Sequence, residues 1–278
     1  MGRVRTDGSG RFYFPGLANG RYTIKVLPLG TNLQEHSEDV ELAGLGSRGQ
    51  SLPDNQQKDI YLKSRRGSAT PFSNQVIYAQ EVPKDAQSLY NYAVADLDNQ
   101  RVDLGGAGLE KAIAAFPTYF AALLRLGTVR LAEQKFDPAI TLFERALAVN
   151  QRCFDCYYGI AYSNYALRKY NDAIVSSEKA LNETRDSIDA NLLLGMAARN
   201  TKNHKKAEEA LLRASKISDG RNGDVHWQLA LLYGRDLERY AEAAKELELY
   251  LKASPEAPNK EDVKKLIKQF KDQAKVSR

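Results

Sequence analysis

Cysteine, tryptophan, methionine and histidine are all scarce. The 278 residues hold two cysteines, one tryptophan, two methionines and three histidines. His36, His204 and His226 are scattered, with no helical ligand spacing between them, and two cysteines supply only half the ligands of a structural zinc site. No stretch approaches the roughly 18 apolar residues of a membrane span, and residues 1–30 lack the uninterrupted apolar core of a secretory signal. There is no G-x-S-x-G. Gly105-Gly106-Ala107-Gly108 lacks the Lys-Ser/Thr of a phosphate-binding loop and follows no strand. Carboxylates stand mostly beside Lys or Arg on helix faces, as Glu242 and Glu246 do around Lys245, which is ordinary solvated patterning. The expectation is a chain with no catalytic residues, no cofactor and no metal.

The net charge of +5 is concentrated. Residues 257–278 carry seven Lys/Arg against three Asp/Glu, so that segment alone supplies +4. The basic balance belongs to one C-terminal helix and is not a nucleic-acid footprint.

What the sequence does have is a period. Ala93, Gly127, Ala161 and Gly195 stand 34 residues apart, and so do Ala112, Ala146, Ala180 and Ala214, and Gly105, Ala139, Ala173 and Ala207. Three series in one register mean a stacked repeat. Within each copy the apolar residues recur at helical spacing on two segments: Leu123, Leu126 and Gly127, then Ala139, Phe143 and Ala146 in the second; Tyr157, Ile160 and Ala161, then Tyr170, Ala173 and Ala180 in the third. Each copy reads as two antiparallel helices, with Ala or Gly where the axes cross closely. Copies are expected at 86–119, 120–153, 154–187, 188–221 and 223–256, filling a helical region over 84–256. The fifth, carried by Leu229, Ala230, Tyr240, Ala243 and Leu247, has one extra residue before it and one in its internal turn. In the first, Gly105 replaces the usual Ala, and residues 103–108 are expected to fray the helix start.

This pattern resembles the tetratricopeptide repeat, which implies an α-solenoid whose first helices line a concave groove. The resemblance implies ligand-facing positions near the second, fifth, ninth, twelfth and thirteenth of each first helix. Carried over, these are Tyr90 and Val94 in copy one; Leu124, Thr128 and Leu131 in copy two; and Tyr158, Tyr162 and Tyr165 in copy three. Copy four supplies Leu192, Met196, Arg199 and Asn200, and copy five Trp227, Leu231 and Arg235. Aromatic and Arg residues dominate interface energetics, so the row suits a peptide or protein segment. Packing between copies is the competing role for each, Tyr158 and Leu192 above all. The Lys and Asn of a carboxylate clamp are absent from the matched positions.

Residues 1–63 are different. Residues 11–14 and 21–26 alternate, with Phe12 and Phe14, then Tyr22, Ile24 and Val26, on one face, and Asp7-Gly8 and Asn19-Gly20 are turn dipeptides. Residues 38–42 and 59–62 read as further strands of a small β-sandwich. The run from Asp7-Gly8 through Phe12, Phe14 and Leu17 to Asn19-Gly20-Arg21-Tyr22 resembles the carboxypeptidase regulatory-like domain, which implies a prealbumin-like sandwich without catalytic residues. A first strand of that fold is missing, so a longer protein is expected, bacterial by the domain pairing. An exported location, in periplasm or cell envelope, is then open. The sandwich's likeness to starch-binding-like modules raises a carbohydrate partner, with Tyr13 and Tyr61 as outward candidates. Residues 64–83 read as a linker, with Val76 to Val82 as a last strand or extended lead-in and Pro83 ahead of the first helix.

At the other end Pro255 and Pro258 stop the repeats. Asn259 is placed to cap a final helix over 257–278, with Val263, Leu266, Ile267, Phe270 and Ala274 on one stripe and Lys264, Lys265, Lys268, Lys271 and Lys275 opposite. It reads as the cap of the stack, with membrane-surface binding as the alternative. Cys153 and Cys156 fall at the start of copy three and read as small packing residues; a redox pair or metal half-site is the alternative. The whole is expected to be multidomain: a partial β-sandwich, then a helical solenoid acting as a non-catalytic protein-binding scaffold. Carbohydrate binding and a purely structural spacer are the other readings.

Overall fold

The computed structural model describes residues 20–26, 36–42 and 80–276. The chain divides into two compact units, Met1–Ala79 and Gln80–Arg278.

In the first unit, β1 (Gly20–Val26) pairs antiparallel with β2 (His36–Leu42), Tyr22 opposite Val40 and Ile24 opposite Glu38. Tyr22 and Ile24 are half-buried while Arg21 and Thr23 are exposed, so the expected alternation holds across these residues. On the exposed side Thr23 Oγ1 donates to Asp39 Oδ1 at 2.7 Å. The sandwich itself is not shown: the described residues contribute this one strand pair. The expected strands at 11–14 and 59–62, and Phe12, Phe14, Tyr13 and Tyr61, lie outside the described residues. Of the 76–82 lead-in, residues 80–82 are described and form no strand.

The second unit is an α-solenoid of five helix pairs and a final helix. The pairs are α1 (Lys84–Asp98) with α2 (Val102–Ala115), α3 (Phe120–Ala132) with α4 (Phe136–Val149), and α5 (Phe154–Ala166) with α6 (Tyr170–Glu183). Then come α7 (Ile188–Asn200) with α8 (His204–Ile217), α9 (Gly223–Leu231) with α10 (Tyr240–Ala253), and lastly α11 (Lys260–Val276). Each first helix packs on its own partner, and from α3 onward each also touches the next first helix, α3 with α5, α5 with α7 and α7 with α9. The first helices therefore form one continuous layer.

The small residues mark where helices approach. Ala93, Ala112, Ala139, Ala146, Ala161, Ala173, Ala180, Ala207 and Ala214 are all buried. A Cβ on Gly127 would stand 2.7 Å from Phe143 Cε1, and one on Gly159 would collide with the same ring. Phe143 thus inserts between its own first helix and that of the next pair. Gly105 and Gly108 serve the first crossing: a Cβ would meet Leu97 Cγ at 2.5 Å and Ala93 Cβ at 2.7 Å. The expected fraying at residues 103–108 does not occur. The helix α2 is continuous from Val102 because close packing on α1 outweighs the poor helix propensity of its glycines.

Every pair turns through one left-handed, non-glycine residue: Gln100, Gln134, Arg168, Lys202 and Glu238, with φ from 54° to 61°. In four turns the next residue's N–H returns to a carbonyl five residues back, as Lys135 does to Arg130 at 2.8 Å. In the fifth, Arg239 reaches six back to Tyr233, also at 2.8 Å. The extra residue of this copy was expected in the turn. It sits instead inside the first helix, as a π-turn over Leu232–Asp236 in which Leu237 N–H donates to the Leu232 carbonyl at 3.0 Å. The left-handed residue and the N-cap after it keep their places ahead of α10, and the helix end before them absorbs the insertion.

The final helix α11 buries Val263 and Phe270 and exposes its lysines, three of which pair with carboxylates one turn earlier. Phe270 presses on Gly234 of the π-turn and lies 5.8 Å from the Tyr240 ring. Asn259 stands just before the helix and its carbonyl accepts from Val263 N–H. Its side chain accepts from Tyr250 Oη at 3.0 Å, tying α11 to α10.

Candidate functional site

The inner layer of first helices carries the residues singled out from the sequence, and the structure sorts them into three groups. Those of the first two pairs are mostly committed to packing. Tyr90 is half-buried with its ring 5.1 Å from Tyr119, and Leu124 and Leu131 lean on the same core. Val94 is half-buried. Thr128 is exposed, its hydroxyl donating back to the Leu124 carbonyl.

The third pair holds the aromatic row. Tyr158, Tyr162 and Tyr165 stand on α5 at spacings of four and three, which place them on one face. Tyr162 is 42 % exposed, the most open of the row, and its ring lies 6.5 Å from Phe136. Tyr158 stacks on Phe154 at 5.9 Å, and burial pushes its hydroxyl up to about 12. Tyr165 lies 5.5 Å from Tyr170, and burial raises its hydroxyl against a lowering effect of the Asn200 side chain on α7. Asn200 donates to the Met196 carbonyl at 2.8 Å and is exposed; Met196 and Leu192 are half-buried.

One carboxylate that sequence reasoning passed over belongs to this helix. Asp155 occupies the second position of α5, and the same repeat register that picked out Tyr158 would have found it. Its Oδ2 is buried without a hydrogen-bond partner, and burial raises the carboxyl to about 7. It lies between Cys153 and Cys156. These were expected to be small packing residues; both are buried, but they are also joined in a disulfide, their Cα atoms 5.3 Å apart. A helix start brings residues three apart onto one side, within bridging reach. Cys153 Sγ also accepts from Cys156 N–H at 3.1 Å and so caps α5.

The third group lies at the C-terminal end. Arg199 and Arg235 each stand three residues before the left-handed turn residue that follows, Lys202 and Glu238. Their surroundings differ. Arg199 Nε lies 3.1 Å from Asp236 Oδ2 and its Nη1 donates to Gln228 Oε1 at 2.9 Å. Arg235 is exposed and makes no ion pair or hydrogen bond among the described residues. Trp227, 5.4 Å from the Tyr250 ring, lines a cavity of about 240 Å³ together with Leu231 and Arg235. The final helix adds Leu266, Gln269 and Phe270 to its wall. Sequence reasoning did not bring these three to the groove, because nothing in the spacing of α11 says which pair it closes.

Among the described residues no cluster of three or more His, Cys, Asp or Glu is placed to hold a metal ion, and no helix is long and apolar enough to cross a membrane.

Comparison with known proteins supports the repeat assignment. Family profiles described as tetratricopeptide repeat match residues 124–188 and 188–220, so these helix pairs are tetratricopeptide repeats. Among solved structures the chain is similar to MamA, residues 41 to the end, from Desulfovibrio magneticus RS-1: TM-score 0.60 at 17% identity, covering 64% of this chain and 99% of that one. It is also similar to YrrB, described as a TPR protein with an unusual peptide-binding site, with TM-score 0.57 at 19% identity, covering 65% and 92%. At these identities the likeness is one of fold. No curated protein matches the chain.

Proposed function

We propose that this chain is a non-catalytic adaptor that binds a peptide or protein segment along the inner layer of its first helices. The observation that carries the reading is the row on α5. Tyr162 stays 42 % exposed at the middle of the stack while Tyr158 and Tyr165 flank it half-buried. Tyr158 and Tyr165 pack against Phe154 and Tyr170, whereas much of the Tyr162 ring is left open on the same face, and aromatic residues supply much of the energy of protein recognition. A fold likeness to a protein described as having a peptide-binding site supports the same reading. Of the groove residues, Thr128, Tyr162, Asn200 and Arg235 are exposed, while Tyr90, Leu124, Tyr158 and Trp227 serve mainly as its walls. The buried disulfide fits an oxidising compartment, in line with export.

The test is capture of partners by the full chain, compared with a Tyr162→Ala/Asn200→Ala variant and with a Leu212→Ala control at an exposed position of α8. The reading expects a partner kept by the wild type and the control and lost by the groove variant. A partner kept by all three would place binding on another face. The regulatory-like domain, and a carbohydrate partner for it, remain proposals carried by the sequence motif around Asp7 to Tyr22 alone.

A further inference from the structure

We infer that the cavity under the π-turn is a docking subsite for an extended protein segment that carries a bulky apolar side chain two residues from an acidic one. This rests on the adaptor reading and adds the chemistry of one position in the ligand.

The π-turn is the first reason. Fifteen residues separate Gly223 from the left-handed Glu238, where fourteen separate Ile188 from Lys202. The insertion is held as a π-turn, a form rare in helices and frequent at functional sites. It lies beside the cavity: Gly234, within it, takes the Phe270 ring, and Arg235 stands at the cavity wall.

Charge is the second reason. The two arginines of the register are not equivalent, because Asp236 and Gln228 take up Arg199. With Asp236 engaged, Arg235 has no partner among the described residues, and it is the only charged group lining the cavity. An exposed guanidinium beside apolar wall favours a ligand carboxylate, which it can hold by two parallel hydrogen bonds.

Size is the third. About 240 Å³ is below the range of sites that enclose a whole small ligand. It admits one leucine- or phenylalanine-sized group against Trp227, Leu231 and Leu266, and the remainder of the ligand must lie outside, along the inner layer. In an extended chain, side chains two residues apart share a face about 7 Å apart, so a carboxylate at that spacing is turned toward Arg235.

The single tryptophan of the chain, Trp227, lines this cavity, so its emission reports occupancy directly. The probes are the blocked pentapeptide Gly-Phe-Gly-Asp-Gly (Phe-Asp), its form with Asn for Asp (Phe-Asn) and its form with Ala for Phe (Ala-Asp), titrated into the full chain to about 1 mM, the regime of weak single-site contacts. The expected result is a saturable change with Phe-Asp, about tenfold weaker binding of Phe-Asn, and no saturation with Ala-Asp. In Arg235→Gln, an exposed substitution, Phe-Asp and Phe-Asn should bind alike. In Tyr162→Ala the peptides should bind as to the wild type. Equal binding of Phe-Asp and Phe-Asn by the wild type, or a preference that survives Arg235→Gln, would overturn the inference. A silent Trp227 alongside partner capture that depends on Tyr162 would overturn it too, and leave the adaptor reading standing.

Discussion

The Nδ1 of buried His226 lies 2.7 Å from Glu246 Oε2, while its Nε2 faces the Gly220 carbonyl at 2.9 Å. Both ring nitrogens meet acceptors, and only the doubly protonated ring can donate to both. The hydrogen bond to Glu246 raises the His226 pKa, against the opposing effect of burial. Protonation therefore favours the folded chain. This stability is fully present below the unfolded-state value of about 6.5 and is lost as pH rises through the higher folded value. A melting series across that window should show the decline, and His226→Gln should flatten it and cost about 2–4 kcal/mol at pH 6. A series that declines equally in the variant would assign it to another group.

Asp155 acts at the other end of the same range. Burial raises its carboxyl to about 7, so between about pH 4 and 7 the folded chain holds a proton that the unfolded chain has released. Stability from this group accordingly falls as pH rises through that interval. The neutral isostere Asp155→Asn should stabilise the chain at pH 8, by on the order of 2 kcal/mol once residual solvation is allowed for, and change little at pH 4. Chemical denaturation at the two pH values checks this.

Two glycines make a matched pair. Gly159→Ala places a methyl group into the Phe143 ring and should cost about 2–4 kcal/mol, because that ring is wedged between two helices. Gly106→Ala meets only Arg130 Nη1, at an ordinary 3.8 Å, inside α2. It should stabilise by up to about 1 kcal/mol through helix propensity. Thermal melts of the two variants should move in opposite directions.

The disulfide closes a very short loop, Cys153 to Cys156, so its reduction should cost only about 2 kcal/mol. A Cys153→Ala/Cys156→Ala variant should lose a similar amount and keep its helical circular dichroism, since both positions also serve as small packing residues. A loss of helicity on reduction would show that the cap of α5 depends on the bridge.

Much of the helical unit was legible beforehand. Ala93, Gly127, Ala161 and Gly195 announced the crossings, and the stripe from Val263 to Phe270 announced the closing helix. Less was legible at the groove. Tyr90 and Leu124, at the fifth position of their first helices, and Thr128 and Tyr162, at the ninth, belong to one face by the repeat register, yet the first two lean on the core and the second two are open. A register names a face of one helix, whereas exposure also depends on the width of the neighbour. Gly159 was overlooked for the same reason, since its partner Phe143 comes from the preceding copy.

What the sequence determined by itself, then, was the period and the pairing of helices. Close crossing tolerates only small residues, and they recur every 34 positions. Tertiary structure alone decided where the fifth copy's extra residue went and which arginine stayed open. An inserted residue fits a turn or a helix equally well by count; here the left-handed residue and the N-cap after it keep their places ahead of α10, and the helix end before them widens. Arg199 and Arg235 hold the same place relative to the turns that follow them. They part company only because Gln228 and Asp236 of the next copy fold over the first, and none of the described residues does so for the second.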